Sequence, residues 1–146
     1  MKVTLQRLDD AFRFEAKNEQ GNSLIFDVGP ELGGKGKGVR PMQSLLMALG
    51  GCSAIDIIII LKKQKQEIID FRIEIDGERE KGVEPSLWQD VHVIYHIDGK
   101  VDGEKAKRAV QLSMEKYCSV SKTLEIAGAK ITSEIRINGV AVDSQQ

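Results

Sequence analysis

The chain has 146 residues, about one domain's worth at roughly 100–200 residues per domain, and a chain of this length buries roughly 68–70% of its unfolded surface without a disulfide or metal staple. Hydrophobic residues at 41% and charged residues at 29%, with 21 Lys+Arg against 22 Asp+Glu, exclude a disordered chain. A formal net charge of −1 argues against a general nucleic-acid binder, whose affinity needs cations facing phosphates. The opening MKVTLQRLDD turns polar after five residues and has no apolar run, so it is no secretory signal and a cytoplasmic location is expected.

Residues 3–8 and 11–16 alternate around Asp9-Asp10 and predict a hairpin; residues 18–22 (NEQGN) form a turn into a third strand over 23–28. Residues 29–38 (GPELGGKGKG) hold five of the 14 glycines and read as a flexible loop covering a cleft. Pro41 suits the first turn of a helix that runs through Leu61 and ends near Gln66. From Leu45 to Leu61 this helix is apolar or small except for Ser53 and Asp56, so it is buried on all sides or lies in a membrane. It falls short of the roughly 20 residues that span a bilayer and carries Gly50-Gly51 and an acid. We therefore expect a central helix covered by the sheet on one side and by a second copy of the chain on the other, with no membrane partner.

Phe71, Ile73 and Ile75 alternate with Arg72, Glu74 and Asp76 and predict a strand; 77–86 is a charged hairpin loop. The next strand, 88–97, puts Val91, Val93, Tyr95 and Ile97 on one face, and Asp98-Gly99 reads as a turn. Asp102 is placed to cap a helix over 103–117, followed by a short helical piece over 119–127 ended by Gly128. A closing strand covers 130–138, and the tail VAVDSQQ is expected to fray. The order β-β-β-α-β-β-α-β, in hairpins, predicts a single α+β domain over 1–146 with an antiparallel sheet.

Several patterns invite a chemical reading. Gly29 to Lys35 fits G-x-x-x-x-G-K after a strand, but Gly36 stands where a phosphate loop needs Ser or Thr, so a nucleotide is not expected. His92 and His96 lie on a strand, where the spacing of about 13 Å is too long to share an ion. No metal site and no cofactor are expected. Asp56, four residues after Cys52, shares its helix face. A carboxylate there raises a thiol's pKa, so Asp56 reads as a partner for a basic residue or for backbone at an interface.

Two cysteines, Cys52 and Cys118, are too few for a disulfide scaffold and are either buried hydrophobes or a redox couple. Their surroundings favour the couple. Arg40-Pro-Met-Gln-Ser-Leu-Leu-Met-Ala-Leu-Gly-Gly-Cys52 places a thiol deep in the apolar helix behind the glycine-rich loop, and Glu115-Lys-Tyr-Cys118-Ser-Val-Ser-Lys122 places another at a helix junction. With the element order and the ELGG segment, these sequences resemble the OsmC/Ohr family of peroxide-reducing thiol proteins along the whole chain. The run SAIDII at 53–58 and KYCSVSK look most similar to its less characterised OsmC-like branch.

The resemblance implies an intertwined homodimer with two long helices back to back. It implies a thiol-dependent peroxidase in which Cys52 attacks the O–O bond and becomes a sulfenic acid, Cys118 resolves it as a disulfide, and a dithiol reductant resets the pair. The apolar surroundings (Leu46, Leu49, Ile55) point to organic hydroperoxides as substrates. The family's peroxidases carry a Glu nine or ten residues before the first Cys, orienting an Arg that stabilises the thiolate; here those positions are Gln43 and Met42. Gln43 can hydrogen-bond a guanidinium but adds no charge, so Gln43→Glu is expected to tighten its hold. Arg13 and Arg40 are the candidates for that Arg. The alternative is a non-catalytic dimer of the same fold that binds a small apolar ligand at the subunit interface.

Overall fold

The computed structural model describes residues 1–142, which form two compact units, Met1–Leu45 and the chain from Leu46 onward. In the first unit β1 (Val3–Arg7), β2 (Phe14–Asn18) and β3 (Ser23–Phe26) make an antiparallel sheet in sequence order. The β1–β2 connection is tied by Arg7, whose guanidinium donates to the carbonyls of Asp10 (2.5 Å) and Ala11 (2.8 Å).

The glycine-rich loop is folded, contrary to the flexible loop expected. Asp27, 2% exposed, accepts from the N–H groups of Val28 (2.8 Å), Lys35 (3.3 Å) and Lys37 (3.0 Å). A buried carboxylate needs such donors, and satisfying it ties both ends of the loop to one point. Pro30–Leu32 form a 3₁₀ turn ended by Gly33 at φ +84°, and Val39 returns to pair with β3. The Lys37 amide, acting against desolvation, holds the Asp27 carboxyl below its ordinary range, with help from Val28 and Lys35.

Helix α1 (Pro41–Lys63) crosses the boundary between the units. Pro41 occupies its first turn, and Gln43 Oε1 accepts the Arg40 N–H at 3.1 Å, half of a capping box. Beyond the boundary, Leu49, Ser53, Ile57 and Leu61 are buried at a spacing of four. Met47, Ile55 and Ile59 are 52%, 62% and 46% exposed on another face. The helix is thus apolar on two sides and buried by its own chain on one. Among the described residues it is the one helix long and apolar enough to cross a membrane, by length and composition.

The second unit's sheet has the order β4-β5-β6-β7, from β4 (Glu67–Arg79), β5 (Trp88–Lys100), β6 (Lys130–Ile137) and β7 (Val140–Ala141). Val91, Val93, Tyr95 and Ile97 are at most 2% exposed, the face the alternation predicts. α1 approaches β4 closely at Gly50, where a Cβ would sit 3.1 Å from Ile75 Cδ1. The sheet is mixed: β5 and β6 run parallel, because α2 (Gly103–Leu112) and α3 (Ser119–Ile126) form a long crossover between them. β5 continues to Lys100 through the expected turn at Asp98-Gly99, with Gly99 at φ +140° beside a register shift. Asp102 caps α2 as expected, accepting from the Lys105 N–H at 3.0 Å. Val140–Ala141 pair with β6 instead of fraying; the rest of the expected frayed tail, 143–146, lies outside the described residues.

Candidate active site

A departure from regular helix builds the site. The helical path reaches Tyr117 as expected, but α2 itself stops at Leu112 and Ser113–Tyr117 form one π turn, closed by Cys118 N–H donating to the Ser113 carbonyl at 2.7 Å. Wide turns of this kind recur at functional sites. Here the turn leaves Cys118 in extended backbone at the start of α3, its sulfur accepting from the Ser121 N–H at 3.4 Å.

Cys52 of α1 meets Cys118 there. The two sulfurs and a carboxylate oxygen of Asp56 all lie within 4.8 Å of one another. Neither thiol is in a disulfide. Cys52 is half-buried and Cys118 is 2% exposed. Burial, with the neighbouring Cys52 adding to it, pushes the Cys118 thiol up to about 11 despite the Ser121 and Val120 amides.

Asp56 shares the face of α1 with Cys52, as its spacing predicts. It faces no basic partner in an ion pair among the described residues; Ser113, fully buried, donates its hydroxyl to Asp56 Oδ2 at 3.1 Å. Its spacing of four from Cys52 was the readable signal, whereas Ser113 reaches it through a π turn that no periodicity announces. Below them Ser53 bonds back to the Leu49 carbonyl at 2.8 Å. The hydroxyl of fully buried Tyr95 reaches Met114 Sδ at 3.5 Å, and desolvation pushes its pKa up to about 12. The trio offers two sulfurs and one oxygen, one donor short of the closed four-ligand set of a structural zinc site.

The other predicted site residues lie in the first unit. Arg40 is paired with Glu31 at 2.5 Å, so a carboxylate holds this guanidinium although neither position 42 nor 43 is acidic. Gln43 caps α1 through the Arg40 N–H. Arg13 lies 3.7 Å from Asp9, whose other oxygen accepts the Ala11 N–H. His92 bonds Thr132 at 2.7 Å and His96 lies 3.3 Å from Glu74, so the strand histidines have separate partners.

The sequence profile of the family described as OsmC-like protein matches residues 34–134. The chain belongs to the OsmC-like family. Protein YhfA of Escherichia coli K12 is 35% identical over 120 residues, 81% of this chain and 85% of YhfA. A hypothetical protein from Aquifex aeolicus superposes with a TM-score of 0.77 at 33% identity, covering 93% of this chain and 96% of that one. An OsmC protein of Legionella pneumophila, described as an organic hydroperoxide resistance protein, shares the fold at a TM-score of 0.66 and 17% identity, over 94% and 96% of the two chains.

Proposed function

We propose that the chain is a thiol-dependent peroxidase that reduces organic hydroperoxides through Cys52 and Cys118. The observation that carries this reading is the meeting of two free thiols from distant segments, one accessible and one buried, within 4.8 Å. A peroxide must reach the attacking sulfur, so the accessible Cys52 attacks and the buried Cys118 resolves. Fold kinship with a protein described as conferring organic hydroperoxide resistance supports the substrate class. So does the apolar sequence of α1 that carries Cys52, with Leu49 and Ile55 three residues to either side of it. A dithiol reductant returns the pair to the thiol state, and a reducing cytoplasm suits it.

A thiolate needs a cation to form readily at neutral pH. The family resemblance assigns that role to a guanidinium, and Arg40, already paired with Glu31, and Arg13 are the candidates. The exposed face of α1, with Met47, Ile55 and Ile59, supports the homodimer.

The test is stoichiometric cumene hydroperoxide added to the reduced protein. An intrachain Cys52–Cys118 disulfide by mass, absent in Cys52→Ser, supports the reading. Over-oxidation of Cys52 with Cys118 left free removes the resolving role, and inert thiols would favour ligand binding without catalysis.

A further inference from the structure

The resolving step has a proton problem. Cys118 reacts only as a thiolate, and burial with two weak amide donors keeps it protonated far above neutral pH. Some group must take its proton as the sulfur attacks, and must supply one to whatever leaves. The groups facing the pair are Asp56 on α1, Tyr95 from β5 and the hydroxyl of Ser113 from the π turn. Tyr95 is protonated and deeply desolvated, and Ser113 is already donating to Asp56. Asp56 remains: it has oxygen within 4.8 Å of both sulfurs, and the Ser113 hydrogen bond fixes one carboxylate oxygen while leaving lone pairs for the thiols. That separation is bridged by one water or by a small tightening, as is common for acid–base groups before substrate binds.

We propose that Asp56 is the proton carrier of the Cys52/Cys118 pair in both halves of the cycle, a role that rests on the peroxidase reading. In the first half the carboxylate takes the Cys52 proton as the sulfur attacks the distal oxygen of the hydroperoxide. The S–O bond forms and the O–O bond breaks with its electron pair on the leaving alkoxide, to which Asp56 returns the proton, giving the alcohol. Cys52 is oxidised by two electrons to the sulfenic acid and the peroxide is reduced by two. In the second half Asp56 takes the Cys118 proton as that sulfur attacks Cys52. The S–S bond forms, the S–O bond breaks, and the proton goes to the departing hydroxide as water.

The carboxylate has two effects of opposite sign. As a negative charge beside the sulfurs it disfavours the thiolate; as a base it speeds the step that makes one. Asp56→Asn keeps the shape and an acceptor for Ser113 while removing both effects, and two measurements separate them. Iodoacetamide alkylation of Cys52, in a Cys118→Ser background at neutral pH, reads thiolate and should become faster. Disulfide closure, followed by rapid quench after cumene hydroperoxide, should become slower by roughly 10²-fold, the lower end for a lost acid–base group. Closure in the variant should also climb with pH toward the Cys118 titration where wild type is flat, and Asp56→Glu should restore part of the rate. The same closure is measured from the mixed disulfide formed with 2-hydroxyethyl disulfide, which needs the Cys118 proton removed but no peroxide. Failure of wild type with hydroperoxide, with slow closure of Asp56→Asn from the mixed disulfide, discards the peroxidase reading and keeps the proton role. Closure as fast in the variant as in wild type from both oxidants, or faster together with alkylation, overturns the proposal and leaves Asp56 a bystander or a mere charge.

Discussion

Among the described residues of the first unit the one buried side chain is a carboxylate, Asp27, whereas the second unit buries an apolar set from Leu49 to Ile135 and, at its edge, the Cys118 thiol. Asp27 and Cys118 are equally hidden, each 2% exposed, yet their acidities move in opposite directions. Around Asp27 three amides converge, and the strongest of them outweighs the desolvation. At Cys118 the amides are weak partners for a large sulfur, and desolvation wins. Donors, more than burial depth, decide which buried acid ionises. The first unit uses an ionised acid to shape a loop, and the second holds its buried thiol in the protonated state.

The sharpest way to break this contrast is to remove apolar volume from each unit. Ile57 is fully buried, so Ile57→Ala should cost roughly 2–5 kcal/mol in denaturant unfolding. Leu5 is 58% exposed on β1, so Leu5→Ala should stay within about 0.5 kcal/mol. A comparable loss at both sites would mean that the β1 face is covered by another chain. Sedimentation of wild type across micromolar concentrations decides this: a dimer is expected, and a stable folded monomer would remove the homodimer from the reading.

A pH titration should separate the units at opposite ends of the scale. The Asp27 pKa is lowered on folding, so its contribution is present above the unfolded value of 3.8 and is lost as pH falls through the still lower folded value. Acid should therefore free the Lys35 and Lys37 amides to exchange, and Asp27→Asn should free them already at neutral pH. The Cys118 pKa is raised, so its contribution is present below the unfolded value of 9.0 and is lost as pH rises toward about 11. Circular dichroism should show a loss of stability over that alkaline window which Cys118→Ala removes. Acid and alkaline losses in the same unit would erase the contrast.

How much of this could be read beforehand depends on the range of the forces involved. The strand faces of β4 and β5 and the Asp102 cap follow from local alternation and spacing, and they stand where the sequence places them. The parallel pairing of β5 with β6 depends on how a crossover packs, which alternation does not encode. The glycine-rich loop reads as flexible by composition because its order comes from one aspartate outside it. Within the site, the two cysteines were legible through family likeness. Asp56 was visible as a neighbour of Cys52 but its charge argued against a thiolate, and its place beside the Cys118 sulfur and the Ser113 hydroxyl depends on long-range packing that spacing does not encode.

The smallest expected effect concerns the missing family carboxylate. On sequence grounds Gln43→Glu should strengthen the grip on an activating Arg, but Arg40 already has the Glu31 carboxylate, and the Gln43 side chain is engaged with the Arg40 backbone N–H. A Glu at position 43 can make the same cap and suits the first turn of α1, so stability should change by no more than about 0.5 kcal/mol. Hydroperoxide turnover should hardly move. Glu31→Gln is the informative companion, because it removes the charge that holds the Arg40 guanidinium while leaving the cap intact. Lower turnover in Glu31→Gln, with Gln43→Glu close to wild type, would show that this chain has moved the family's acid from the helix to the loop. Turnover that rises in Gln43→Glu and is unaffected in Glu31→Gln would return the role to position 43 and leave the Glu31–Arg40 pair a surface contact, of the kind usually worth little.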